Sequence, residues 1–277
     1  MRKSIAIIIT SILVLSGCNK QQSVSDRLLN EVEKAIAINP DSASNLLKSI
    51  SSPEKLDDKA FARWCMLSGK ITDEIFNSIL PTYQLERAYD WYSSHGSPDE
   101  QVQILIYLGR SYFADGDYDK AMSIYTNALD IAGKNKLNNL IGYTYDYIGD
   151  LYREKFMRTE AIKRYEIAAE YFKKEKNTDS YACALRDIGR EYAQMDSLSH
   201  ALNILIIADS VAANTSNINV TASINNALGN IYSMQNKYDK AEEYLLKALL
   251  TGREKMPDYV ALIDLYTASN SINKAKE

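Results

Sequence analysis

Two histidines, three cysteines and a row of paired polar side chains are the residues whose types could do chemistry in this sequence. His95 and His200 are too few and too far apart for a metal centre or for a nucleophile with its base. No phosphate-cradling loop, nucleophile elbow or metalloprotease pattern occurs. Catalysis is therefore not expected, and neither a cofactor nor a metal is expected. The polar row is more informative. Met66 with Lys70, Ile106 with Arg110, Asp146 with Asp150, Arg186 with Arg190, and Asn226 with Asn230 are i, i+4 pairs that recur at forty-residue steps. On a helix each pair stacks on one face. Side-by-side helices would set Asp146 beside Arg186, and Asp150 between Arg110 and Arg190. Two readings are open. The row is a charge ladder that satisfies itself and orders the stack, or it is a polar groove in which Arg110, Asp146, Asp150, Arg186, Arg190, Asn226 and Asn230 grip an extended peptide or a carboxylate.

The elements that must position this row are repeats. Leu105, Leu108, Gly109 and Tyr112 fall at i, i+3, i+4 and i+7, one stripe of a helix, and Ala121, Tyr125 and Ala128 make a second stripe. Asp115, Gly116 and Asp117 between them supply turn and cap chemistry. The spacing predicts two helices folded back on each other, with Gly109 facing Ala121 so that the backbones approach closely. Steps of forty from Gly109 reach Gly69, Gly149, Gly189 and Gly229, and steps from Ala128 reach Ala88, Ala168, Ala208 and Ala248. Tyr112, Tyr152, Tyr192 and Tyr232 hold a third register, and Ala121, Ala161, Ala201 and Ala241 a fourth. A glycine inside a helix loses about 1 kcal/mol against alanine, so its recurrence needs a packing reason. Tyr145, Tyr165, Tyr259 and Tyr266 join the other register tyrosines as expected core. The fold class is all-α, a helical-hairpin solenoid.

The pattern resembles the tetratricopeptide repeat, which carries an aromatic, then Leu, Gly, Tyr, Ala, an aromatic, Ala and a closing Pro. It is read on Tyr145, Ile148, Gly149, Tyr152, Ala161, Tyr165 and Ala168. The closing proline is absent, with Gly133 and Lys173 in its place, and the period is forty where the family standard is thirty-four. The resemblance implies about five repeats and a concave, binding face lined by the first helix of each. A degenerate helix pair precedes the repeats over 26–56, the repeats fill 57–255, and a truncated last repeat occupies 256–277. Within the first repeat, Pro81 predicts that the second helix starts there, since first turns accept proline and helix interiors do not.

Residues 1–17 read as a processing segment. Arg2 and Lys3 precede an apolar run too short for a comfortable membrane span. Leu15, Ser16, Gly17 and Cys18 resemble a bacterial lipobox. That resemblance implies cleavage before Cys18, acyl chains of the palmitate type on the new terminus, and a polar tether over 18–25. More than one acyl chain makes a stable anchor. Asn19, where inner-membrane retention signals carry Asp, favours the outer membrane, and the chain is expected to face the periplasm.

Arg2 and Lys3 account for two of the 32 basic residues, so 30 remain against 36 acidic ones once the segment is removed. That balance excludes a nucleic-acid stripe. Cys65 and Cys183 sit three repeats apart, whereas packed helices are about 8 to 10 Å apart and a disulfide needs Cα atoms within about 7 Å. Both are expected as free, buried thiols. The resulting expectation is a lipid-anchored periplasmic scaffold that binds protein or peptide partners. One alternative is the sensing arm of an envelope signalling system. A third class, a carbohydrate-binding lipoprotein, would want exposed aromatics, and Trp64 and Trp91 are the only tryptophans. The apolar last helix around Tyr259, Leu262, Ile263, Leu265 and Tyr266 is expected to lack a covering second helix and to be a docking edge.

Overall fold

The computed structural model describes residues 25–75, 79–252 and 255–269. Cys18 and the lipobox lie outside them, as do residues 270–277. The chain forms two compact units, 1–131 and 132–277.

In the first unit, α1 covers 25–36 and is followed by α2 (Pro40–Lys48), a 3-10 turn (Pro53–Lys55), α3 (Asp58–Ile75), α4 (Thr82–His95), α5 (Pro98–Ala114) and α6 (Tyr118–Lys134), within which the division falls. Pro81 is the N-cap of α4, as its chemistry requires. Ser97 and Glu100 close a capping box at the start of α5, each satisfying a backbone N–H that the helix leaves orphaned. Arg87 ties α4 back to the preceding segment through Asp58 and the carbonyl oxygens of Glu54 and Leu56.

In the second unit the helices are α7 (Asn138–Glu154), α8 (Arg158–Lys174), α9 (Thr178–Gln194), α10 (Leu198–Ala212), α11 (Ile218–Met234), α12 (Tyr238–Thr251) and α13 (Met256–Ala268). They pair as hairpins, α7 with α8, α9 with α10 and α11 with α12, and α9, α11 and α13 pack in sequence along one side. The alanine registers make the seams: Ala161, Ala168, Ala201, Ala208, Ala241 and Ala248 are fully buried. The tyrosine register ends the first helix of each hairpin. The carbonyl oxygens of Tyr152, Tyr192 and Tyr232 accept from the N–H groups of Met157, Ser197 and Lys237 at 2.8 to 2.9 Å, the closing bond of a Schellman turn. That turn needs one left-handed residue, and Phe156, Asp196 and Asn236 take φ of 57° to 58° there.

Two expectations are corrected by the packing. Gly109 meets first the ring of Tyr125, not the alanine register alone: a Cβ on Gly109 would lie 2.2 Å from Cε1, whereas Gly189 and Gly229 do also approach the carbonyl oxygens of Ala201 and Ala241. Gly149 stands likewise against Tyr165, and Gly189 and Gly229 against Leu205 and Leu245. The glycine is a socket for a large side chain one turn beyond the alanine. Tyr259 is not core but 50% exposed, because α13 turns that face away from α11 and α12. The two cysteines are free, Cys65 buried and Cys183 half-buried. No described helix is long and apolar enough to cross a membrane.

Candidate peptide groove

The side chains of the polar row go to two places. Arg110 lies in the first unit, on α5, where it pairs with Asp73 of α3 beside the hydroxyl of Tyr107. Asp146, Asp150, Arg186, Arg190, Asn226 and Asn230 lie in the second unit, on α7, α9 and α11. There the first helices border a groove of about 750 Å³, lined among others by Arg153, Arg158, Arg190, Asn230, Met234 and Asp264.

Most of the row is tied up by neighbours that are not on it. Arg186 makes a two-pronged pair with Asp187, Nε to Oδ1 at 3.0 Å and Nη2 to Oδ2 at 2.7 Å, and donates a third bond to Ser223. Asp187 is 7% exposed in its side chain. Burial alone would raise its pKa, but Arg186 overrides that and holds it below the usual carboxylate range. Asp150 accepts from Arg153 and from the Tyr165 hydroxyl, both at 2.8 Å. Asn226 donates to the buried Asp258 at 2.7 Å and accepts from Asn230 at 3.0 Å. Glu191, 2% exposed in its side chain, accepts from Arg158 at 2.9 Å.

Asp146 and Arg190 are the least satisfied members. The Oδ1 atom of Asp146 is out of solvent's reach and has no hydrogen-bond partner. Burial, with Asp150 and Asp187 nearby, pushes its carboxyl well above the usual range, against the pull of Arg186. Arg190 has one ion pair among the described residues, a loose 3.5 Å contact to the Oδ1 of Asp187 that Arg186 already occupies. Its side chain is 42% exposed. Loss of water within the groove and repulsion from Arg186 lower its pKa to about 10. A guanidinium so placed favours an incoming anion, since a charge-assisted pair is stronger than a neutral hydrogen bond.

The residues the row did not anticipate are Arg153, Arg158, Asp187, Glu191, Asp258 and Asp264. Asp187 occupies the register of Leu67, Tyr107, Tyr147 and Ala227, so a carboxylate among apolar and aromatic positions was the available signal there, whereas Glu191 shares its register with Ser111 as well as Ile71, Leu151 and Ile231 and stood out less. Asp264 lies thirty-four residues past Asn230, in the register of Arg190 itself. The histidines serve local contacts. His95 stacks on Trp91, and His200 stacks on Tyr192 and meets Ser197. Trp64 and Trp91 are half-buried. Among the described residues no three acidic, histidine or cysteine side chains are grouped to hold a metal.

Helix hairpins with a glycine socket, repeated along the chain, define a class, the helical-repeat proteins. Sequence profiles described as Tetratricopeptide repeat match residues 105–138 and 221–256, so the chain carries tetratricopeptide repeats in those two stretches. It is similar to the Photosystem I assembly protein Ycf3 of Rippkaea orientalis (strain PCC 8801 / RF-1), 32% identical over 91 residues, which are 32% of this chain and 52% of that one. The chain thus spans about half the length of that curated relative. Among solved structures it resembles a Rap protein complexed with Competence and Sporulation Factor, with a TM-score of 0.76 and 19% identity over 92% of this chain and 74% of that one. It also resembles the apo form of the quorum sensor NprR from B. thuringiensis, with a TM-score of 0.58 and 15% identity, again over 92% and 74% of the two chains. At these identities the likeness is one of fold.

Proposed function

We propose that the chain is a lipid-anchored envelope protein, held by Cys18 in the outer membrane and facing the periplasm, which binds a protein or peptide segment in the groove of its second unit and performs no reaction. The observation that supports the binding best is Arg190, a groove-lining cation whose one ion pair among the described residues is a loose contact to the carboxylate that Arg186 already holds. The lipobox residues support the anchor. A second reading, the sensing arm of an envelope signalling system, gains from the likeness to a protein described as a quorum sensor. In that reading, occupancy of the groove is the signal.

The outer face of α13 is a second candidate contact. Met256, Tyr259, Val260 and Ile263 are exposed at i, i+3, i+4 and i+7, one apolar stripe. Ile263 stands thirty-four residues beyond Gly229, where the earlier hairpins have their glycine socket. Any helix that covers α13 must therefore stand further off than α12 does from α11.

A pool of random hexapeptides passed over the immobilised full chain tests the groove. Retention should be abolished by Asn230→Trp, which fills the groove from an exposed position, and unchanged by a tryptophan at Glu166 on the exposed side of α8. An empty eluate from the native chain would remove the reading. For the anchor, Cys18→Ala should move the protein from the membrane to the soluble fraction; unchanged fractionation would refute lipidation.

A further inference from the structure

The groove has a polarity that the proposed peptide-binding function does not by itself require. One register crosses it from helix to helix, through Asp150, Arg190, Asn230 and Asp264 on α7, α9, α11 and α13. Asp150 is occupied by Arg153 and the Tyr165 hydroxyl, and Asn230 is bonded to Asn226. The two remaining members are opposite in charge. Arg190 has its loose pair with Asp187, and Asp264 is exposed and has no ion pair or hydrogen bond among the described residues. Both line the same groove, and the floor between them includes Ala227, Ile231 and Ala261.

We infer that the groove of the second unit selects peptides bearing an acidic and a basic group at a fixed separation, the carboxylate on Arg190 and the ammonium on Asp264, and so binds them in one direction. This rests on the peptide-binding reading above. The separation follows from the helices. α9, α11 and α13 pack in sequence, and two steps between packed helices span roughly 16 to 20 Å. An extended chain covers about 3.3 to 3.6 Å per residue, so the two charges are about four to six residues apart. The alternative of a groove that takes any acidic segment would leave Asp264 facing like charge, which costs affinity and specificity. Arg153 and Arg158 also line the groove, but Asp150 and Glu191 already hold them, so Arg190 with its loose contact to Asp187 is the cation most open to a carboxylate.

The test is fluorescence polarisation of the full chain, purified in detergent, with labelled peptides of Ala and Ser that carry one Glu and one Lys, capped at both ends. The Glu to Lys separation runs from two to eight residues, in both orders. Affinity should peak at about four to six residues in one order only. Arg190→Glu or Asp264→Lys alone should weaken that peptide at least tenfold. The double reversal should restore binding for the peptide with Glu and Lys exchanged, an outcome that a merely structural role would not produce. Asp264→Lys changes an exposed residue, so its result stands even where Arg190→Glu folds poorly. Affinity independent of spacing and order, with hexapeptides from the random pool still retained, would overturn the inference and leave the binding function intact. Absence of binding by both peptide sets would overturn both.

Discussion

The ring of Tyr165 fills the place that a side chain on Gly149 would need: a Cβ there would lie 2.4 Å from Cε1 of the ring. This reverses the ordinary preference of a helix, in which replacing glycine by alanine gains about 1 kcal/mol. Gly149→Leu should overpack the α7 and α8 pair and lower stability by about 1 to 3 kcal/mol or more. Substitution of the exposed Lys174 should stay within about 0.5 kcal/mol. Urea denaturation of both variants checks this, and equal small effects would contradict the socket.

The Arg186 and Asp187 pair makes a second prediction. Removing one partner of a buried ion pair costs about 3 to 5 kcal/mol, because the other is left charged and unmatched. Asp187→Ala should therefore destabilise the chain severely, as judged by its melting temperature, whereas Arg190→Ala, at the groove surface, should change it little. A similar loss from both would mean that Arg190 is part of the structural network and not held for a ligand.

Asp146 makes the pH prediction. Its pKa is raised by burial and by Asp150 and Asp187, with Arg186 and Arg153 opposing. The folded chain thus holds this proton more tightly than the unfolded chain does. The destabilising contribution is absent below the unfolded value of about 3.9, grows as pH rises, and is complete above the folded value. Asp146→Asn, which mimics the protonated side chain, should raise the melting temperature at neutral pH, and the gain should vanish as the buffer is made acidic. A gain constant across the pH range would contradict the assignment.

Hydrogen exchange tests the α13 edge. Amides from Tyr259 to Tyr266 should exchange quickly in the isolated chain and slow when a partner covers the exposed stripe. Strong protection in a proven monomer would show that the helix is already covered.

The hairpins were legible in the sequence because Gly109, Tyr112, Ala121 and Ala128 are fixed by packing that every repeat shares. The facing of glycine and tyrosine was not, since a repeat reading gives registers but not which residue one turn along fills the gap. The site was legible in part. Arg190, Asn230 and Asp150 were on the predicted row, and so were Arg186 and Asn226, but the partners Asp187, Glu191 and Asp258 stand at registers that other repeats fill mostly with apolar side chains, Ser111 and Thr144 being the exceptions. A buried carboxylate in one repeat looks like an ordinary surface charge until a neighbouring guanidinium is placed against it. Tyr259 failed for the complementary reason. Its register marks core only where a second helix covers the first, and the described residues place none over that face of α13.

The central claim is that the groove of the second unit receives a peptide, and methyl resonances report it most directly. On addition of a peptide retained from the random pool, the methyl signals of Ala227, Ile231, Met234 and Ala261 should shift, while those of Leu246 and Ile206, exposed on α12 and α10, should not. Shifts confined to Leu246 and Ile206, or an unperturbed groove with peptide bound, would contradict the account.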